Sequence, residues 1–348
     1  MPTGVTIDIS TATPPSLPPR KDESYSATLR PLETLRRVDV LSTTSMPQSN
    51  LPPWETLPPC PGLPPSGLQH SGLLTLPRGI SLWHAIYGVP VQISLKNGTP
   101  PVVFLTGGLS HSGYYGHQVQ HLANGGTHTV IVFDHRGHGR TPLGTDTELT
   151  YDKLEQDLID LLDHYGIPKA ALIGWSDGAM VAWTALRNHH HRVDRVFAFA
   201  AIDDCEKNDG DRVDQQDRVK ALFARCMAEW AELKPREEGI DRQDADSMAN
   251  FLPYFRLWKR EPKWTAEMFA HVPVRWEADA EDAPVVWVVV ADHDDWIPEA
   301  VNQRLRGFIR NSSYLVIPNG GHLAFIQTPA VFSDLVTHFL EDGRDVHE

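Results

Sequence analysis

Lys169-Ala-Ala-Leu-Ile-Gly174-Trp175-Ser176-Asp177-Gly178-Ala-Met-Val-Ala-Trp-Thr-Ala-Leu186 holds two elements of secondary structure and the joint between them. The apolar run up to Ile173 reads as a short buried parallel strand. The residues from Ala179 to Leu186 are apolar at helical spacing. Between them a serine stands flanked by two glycines, the pattern of a nucleophile elbow, in which a tight strand-to-helix turn thrusts the hydroxyl into a cleft. The helix start behind Ser176 brings main-chain N–H groups to the same place, where negative charge develops in acyl transfer.

The same alternation extends in both directions. Leu73–Leu76 and Gly79–Ile86 read as paired strands, Pro101–Leu105 as a buried strand ending at Thr106-Gly107-Gly108, and Thr129–Phe133 as the next one. Thr150 caps a helix expected to run to Tyr165, with an apolar face of Leu154, Leu158, Leu161 and Leu162. After the elbow come a strand at Val193–Ala200 and, much later, a strand at Pro284–Val290, a helix at Pro298–Arg310, a strand at Ser313–Ile317 and a helix at Val331–Leu340. Near-continuous apolar strands separated by helices predict an α/β protein with a mostly parallel, doubly wound sheet.

Two segments break the pattern. Residues 1–70 hold half of the chain's 28 prolines, many in Pro-Pro pairs, and are expected to form an extended or disordered N-terminal extension. Residues 204–281 read as helices rich in charge and in aromatic side chains such as Trp230, Phe251, Trp258 and Trp264. Lying between two halves of a sheet, they are expected to form a helical lid over the cleft. The core is then 71–203 together with 282–348.

Composition narrows the function. A net charge of −14 with no basic, aromatic-interleaved stripe argues against a nucleic-acid partner and against an anionic membrane surface. No apolar run is long enough for a membrane span. Cys60, Cys205 and Cys226 have neither disulfide nor metal spacing, and no targeting signal is legible, so a cytoplasmic location is the default expectation. The sequence carries no information on oligomeric state.

A serine nucleophile needs a base, and the base needs an orienting carboxylate. In a doubly wound sheet these come from loops at the carboxyl ends of strands. Two later strands end in such loops: Ala291-Asp292-His293-Asp294-Asp295-Trp296-Ile297-Pro298, with three candidate carboxylates, and Pro318-Asn-Gly-Gly-His322. The chain order Ser, Asp, His is one of the three arrangements in which such triads occur.

On these residues the chain from about 72 to its end resembles the α/β-hydrolase superfamily, in particular its small lidded hydrolases, the meta-cleavage-product hydrolases and related esterases. The resemblance implies the α/β-hydrolase fold, Ser176 as nucleophile and His322 as base. It implies Asp294 as the acid, since that residue lies three after the Gly-like Ala291 and four before Pro298; Asp292 and Asp295 are its neighbours in the same loop. It further implies oxyanion donors at the Gly108 and Asp177 amides, and a structural role for the turn Asp134-His-Arg136-Gly-His-Gly139 with Arg136 paired to a carboxylate. Relatives carry His-Gly where this chain has Thr106-Gly107, a departure that leaves the main-chain donors in place but weakens inference about substrate.

The implied activity is hydrolysis of a small, partly apolar ester or lactone through an acyl-enzyme. Carbon–carbon bond hydrolysis and nonhydrolytic ligand binding or biosynthesis are the alternatives within the fold. His111, Tyr114 and Trp175 are candidate pocket residues. His189-His190-His191 reads as a solvated triplet in a loop rather than a metal site. No dinucleotide or phosphate-loop motif follows a strand, so no metal and no cofactor is expected.

Overall fold

The computed structural model describes residues 51–108, 110–143, 149–202, 264–273, 283–294, 296–297, 299–309 and 312–341. Among them lie strands β1 (Leu68–Thr75), β2 (Ser81–Gly88), β3 (Val102–Leu105), β4 (Thr129–Phe133), β5 (Ala170–Trp175), β6 (Val193–Phe199), β7 (Val285–Ala291) and β8 (Ser313–Ile317). The helices are α1 (Val91–Lys96), α2 (Gly116–Gly125), α3 (Tyr151–His164), α4 (Asp177–His189), α5 (Glu299–Arg306), α6 (Ala324–Gln327) and α7 (Pro329–Glu341). The strands form one sheet in the order β1-β2-β4-β3-β5-β6-β7-β8. β1 and β2 form an antiparallel hairpin, β2 is antiparallel to β4, and the pairs from β4 through to β8 are parallel.

Strand order explains where a cleft must form. From β3 the chain steps to β4 on one side; with β5 it crosses to the other side of β3 and then proceeds outward through β6, β7 and β8. The loops leaving β3 and β5 therefore diverge at neighbouring positions on the carboxyl edge of the sheet, and ligand clefts open at such a reversal. Leu105 at the end of β3 pairs in register with Gly174 of β5, which brings Thr106-Gly107-Gly108 beside the elbow.

The apolar runs of β3, β4, β5 and β7 are buried on both faces, as a sheet covered by helices requires. Helix α4 buries Ala179 through Leu186 against β5 and β6, so the helical spacing seen in the sequence is matched by packing. Thr150 caps α3 by accepting a hydrogen bond from Lys153 N at 3.1 Å, and Leu154, Leu158, Leu161 and Leu162 are buried beneath it.

The structure differs from the sequence reading at the amino-terminal side. β1 begins at Leu68, five residues before the expected strand, because it is an exposed edge strand held through its backbone. Its Gln69, His70 and Ser71 therefore give no apolar signal. Helices α1 and α2 also escaped the reading: α1 is a six-residue helix, and α2 starts Gly116-His-Gln with an apolar stripe reduced to Val119 and Leu122. Residues 51–67, assigned by composition to the Pro-rich extension, pack on the core through Leu57, Cys60 and Leu63 and include a 3-10 turn at Pro53–Glu55. Residues 1–50, and the lid expected over 204–281 apart from 264–273, lie outside the described residues. In that short piece Trp264 and Phe269 are buried, with Phe269 edge-on to Trp183 of α4 at 4.8 Å. No helix among the described residues is long and apolar enough to cross a membrane.

Candidate active site

Ser176 sits at φ 54° and ψ −122°, a region that L-residues rarely occupy. The surroundings over-determine that conformation. Ser176 N donates to Phe199 O of β6 at 2.9 Å, and Ser176 O accepts from Ala179 N at 2.9 Å and Met180 N at 3.2 Å as α4 begins. The two flanking glycines are steric necessities. A Cβ on Gly174 would stand 2.5 Å from Gly178 O and 2.6 Å from Ala179 Cα; a Cβ on Gly178 would collide with Leu105 O and come within 2.6 Å of Thr106 O. The elbow is thus pressed against the end of β3, which is why the G-x-S-x-G spacing and the loop after β3 belong to one site.

His322 follows β8 and is 5 % exposed. Its Nδ1 lies 2.9 Å from Asp294 Oδ2. The other oxygen, Asp294 Oδ1, accepts from Trp296 N and Ile297 N, both at 2.9 Å, so the carboxylate is fixed by its own loop before it meets the imidazole. Trp296 stacks on the imidazole at 4.5 Å and 18°, and Trp175 lies against it at 5.4 Å. His322 Nε2 is buried and has no hydrogen-bond partner. No hydrogen bond joins it to Ser176 Oγ in this state; such bonds are commonly long before substrate binds.

The neighbouring carboxylate has other work. Asp292 Oδ2 accepts from Asn319 N at 3.0 Å, and its Oδ1 accepts from Gly320 N at 3.3 Å and lies 2.6 Å from His293 Nδ1. Asp292 therefore ties the loop after β7 to the loop after β8. Asp295 lies outside the described residues.

Gly108 occupies the turn after β3, whose geometry is held by Ser110 donating through N and Oγ to Gly107 O at 3.3 and 2.7 Å. Asp177 is the first residue of α4, where main-chain N–H groups have no acceptor within the helix. Its buried side chain accepts a hydrogen bond from Tyr151 OH at 2.6 Å. Trp175 is 2 % exposed and packs beneath the loop after β3, where a Cβ on Gly107 would meet its ring at 2.8 Å. His111 and Tyr114 are also buried: His111 Nδ1 accepts from Gly113 N at 3.2 Å, and the two rings meet edge-on at 5.1 Å. The side chain of Thr106 is fully buried and its hydroxyl has no partner.

The turn after β4 anchors this edge of the sheet. Asp134 is fully buried and accepts from Ser112 N and Oγ at 2.8 and 2.6 Å and from Arg140 N and Nη1 at 2.9 and 2.8 Å. Burial alone would raise its pKa, but the Arg140 guanidinium, His111 and the Ser112 donors outweigh it and hold the carboxyl below its usual range. Arg136 is paired with Asp157 of α3 in a buried, two-pronged ion pair, its Nε donating at 2.7 Å. His135 is buried as the neutral ring, its pKa pushed down to about 3 chiefly by burial.

The sequence pointed to Ser176, Asp294 and His322, with Asp292 as a rival carboxylate, but not to Tyr151 or to Gln327, whose side chain accepts from Gly321 N. No local motif marks either. His189 of the histidine triplet lies against Glu155 Oε1, and among the described residues no group of three or more His, Cys, Asp or Glu side chains could hold a metal ion.

Comparison with known proteins agrees with this fold. The "Putative carbamate hydrolase RutD" of Shigella flexneri is 25 % identical over 252 residues, covering 69 % of this chain and 91 % of its own. Among solved structures, Est816, described as an N-acyl homoserine lactone degrading enzyme, superposes with a TM-score of 0.54 at 22 % identity, covering 75 % of this chain and 97 % of its own. The meta-cleavage product hydrolase of Pseudomonas fluorescens IP01 superposes with a TM-score of 0.56 at 19 % identity, covering 80 % and 99 %. These structural likenesses establish the fold. The sequence profile described as "Alpha/beta hydrolase family" matches residues 102–335, about two thirds of the chain and all of the sheet from β3 to β8. The chain belongs to the alpha/beta hydrolase family.

Proposed function

We propose that this protein is a serine hydrolase that cleaves a small, partly apolar ester or lactone through an acyl-enzyme. The observation that carries the reading is the 2.9 Å contact between His322 Nδ1 and Asp294 Oδ2, with Nε2 left buried and unbonded at the rim that holds Ser176. Asp294 keeps the imidazole in the tautomer with its proton on Nδ1 and leaves Nε2 as the acceptor. His322 Nε2 takes the Ser176 proton as Oγ attacks the carbonyl carbon. The amides of Gly108 and Asp177 receive the oxyanion, and the first of these needs no histidine at position 106, because the donor is main chain. Collapse of the tetrahedral species expels the alcohol or ring oxygen, protonated by His322. A water deprotonated by His322 then attacks the acyl carbonyl and frees Ser176.

The substrate class rests on chemistry and on kinship. Esters, lactones and carbamates share a carbonyl bearing a heteroatom leaving group, and the relatives' names refer to lactones and carbamates. Epoxide opening in this fold uses a carboxylate nucleophile, whereas residue 176 is serine. Labelling by a fluorophosphonate probe, followed by a panel of p-nitrophenyl esters and lactones, tests the reading. Wild type should label and turn over, and Ser176→Ala should do neither. Undiminished labelling of Ser176→Ala would overturn the assignment.

A further inference from the structure

The Pro-rich residues 51–63 touch the loops that carry the proposed machinery. Pro52 and Pro53 restrict the chain before a single 3-10 turn, closed by Glu55 N to Pro52 O and Thr56 N to Pro53 O, both at 3.0 Å. Within this turn, the Trp54 ring stacks on His293 at 3.9 Å and 21°. His293 directly precedes Asp294, and its own N–H donates to Gly320 O at 3.0 Å. On the other side, Gln327 Nε2 donates to Thr56 O at 2.9 Å and to Trp54 O at 3.3 Å, while Gln327 Oε1 accepts from Gly321 N at 3.0 Å. Gly321 directly precedes His322, and a Cβ there would stand 3.1 Å from Trp54 O. Further along, Cys60 Sγ lies 4.0 Å from His111 Nε2, and Gly62 O abuts Gly116 so closely that a Cβ on that glycine would collide with it.

One short segment thus bears on the acid loop, the base loop and the loop after β3. It precedes the residues that the family profile matches, 102–335. We propose that residues 51–63 form a strap that braces the catalytic loops, with Trp54 as a positioning residue acting through His293 on the Asp294–His322 pair. The inference rests on the Ser176–Asp294–His322 reading. Its physical basis is that loops tolerate displacement more readily than strands, while a proton relay loses about two orders of magnitude in rate for a misplacement near 1 Å. A stacked ring over His293 and a side-chain amide shared between strap and base loop restrict the same hinge from two directions.

The test uses the full chain with p-nitrophenyl butyrate as substrate. Trp54→Ala should lower kcat by about tenfold or more with KM within about twofold, and Trp54→Phe, which keeps a ring over His293, should restore most of the loss. His293→Ala, an exposed position, removes the other half of the stack and serves if Trp54→Ala does not fold. The double variant should be no slower than the slower single variant, since both act through one contact. The far-downfield proton of His322 Nδ1–H in the NMR spectrum should broaden in Trp54→Ala.

A merely structural strap would lower the melting temperature while leaving kcat and that resonance unchanged, and this outcome overturns the proposal. So would losses that multiply in the double variant. His322→Ala separates the two levels of inference. If it is inactive while Trp54→Ala behaves as wild type, the strap proposal alone fails; if it stays active, the triad reading fails and the strap proposal falls with it.

Discussion

Acid should destabilise this fold through His84, and the size of the effect follows from its surroundings. His84 lies in the middle of β2, is 1 % exposed, and shares a hydrogen bond between Nε2 and the Tyr165 hydroxyl. Burial pushes its pKa from 6.5 down to about 4, with His70 and His164 adding repulsion and main-chain contacts at Gly72 and Leu82 opposing it. The folded value lies below the unfolded one, so between these pH values the unfolded chain binds a proton that the folded chain refuses. Stability is therefore complete above about pH 6.5 and falls as the pH drops toward about 4. Integrating between pH 7 and pH 5 gives a loss of ~2 kcal/mol from this residue. With a urea slope of roughly 3 kcal/mol/M the midpoint should fall by about 0.7 M. His84→Gln retains a partner for Tyr165 but does not titrate. Urea unfolding of both proteins at pH 7 and pH 5 isolates the contribution, because His135 and the other histidines titrate alike in each. If the variant loses as much stability as wild type over this interval, the buried, neutral His84 is refuted.

Two further predictions concern the site and its support. Asp157→Asn leaves the Arg136 guanidinium buried beside a neutral amide and should cost about 3–5 kcal/mol, read from the same urea unfolding at pH 7. Asp294→Asn should reduce kcat by about 10⁴-fold by favouring the wrong imidazole tautomer, while Asp292→Asn should keep the downfield Nδ1–H proton and lose far less activity; comparable losses from both variants would exclude Asp294 as sole orienting carboxylate.

The elbow was readable because its residue pattern is local. Gly174 is required by the turn itself, where a Cβ would meet Gly178 O and Ala179, whereas Gly178 is required by the end of β3, where a Cβ would meet Leu105 O and Thr106 O. Parallel strands buried on both faces likewise leave continuous apolar runs, so β3 through β8 were visible in order, though not their neighbours in the sheet. β1 was blurred because an edge strand is held by main-chain pairing that side chains do not report.

Other features depend on which loops meet in space. The Asp292-His293-Asp294-Asp295 run offers three carboxylates, and only the family resemblance, through the spacing from Ala291 to Pro298, favoured Asp294. Their roles separate when Asp292 turns to the amides of residues 319 and 320 and Asp294 to His322. Arg136 announced a buried partner without naming Asp157, and Tyr151 gave no sign that it would reach Asp177. The Pro-rich residues 51–63 make the sharpest contrast. Proline density excludes regular secondary structure but says nothing about tertiary contact, and the contacts of Trp54 lie more than two hundred residues away. Periodicity and turn sterics are properties of neighbours along the chain, which the amino-acid order states directly. The pairing of groups across loops depends on how the sheet brings its carboxyl ends together, and only the folded chain supplies that.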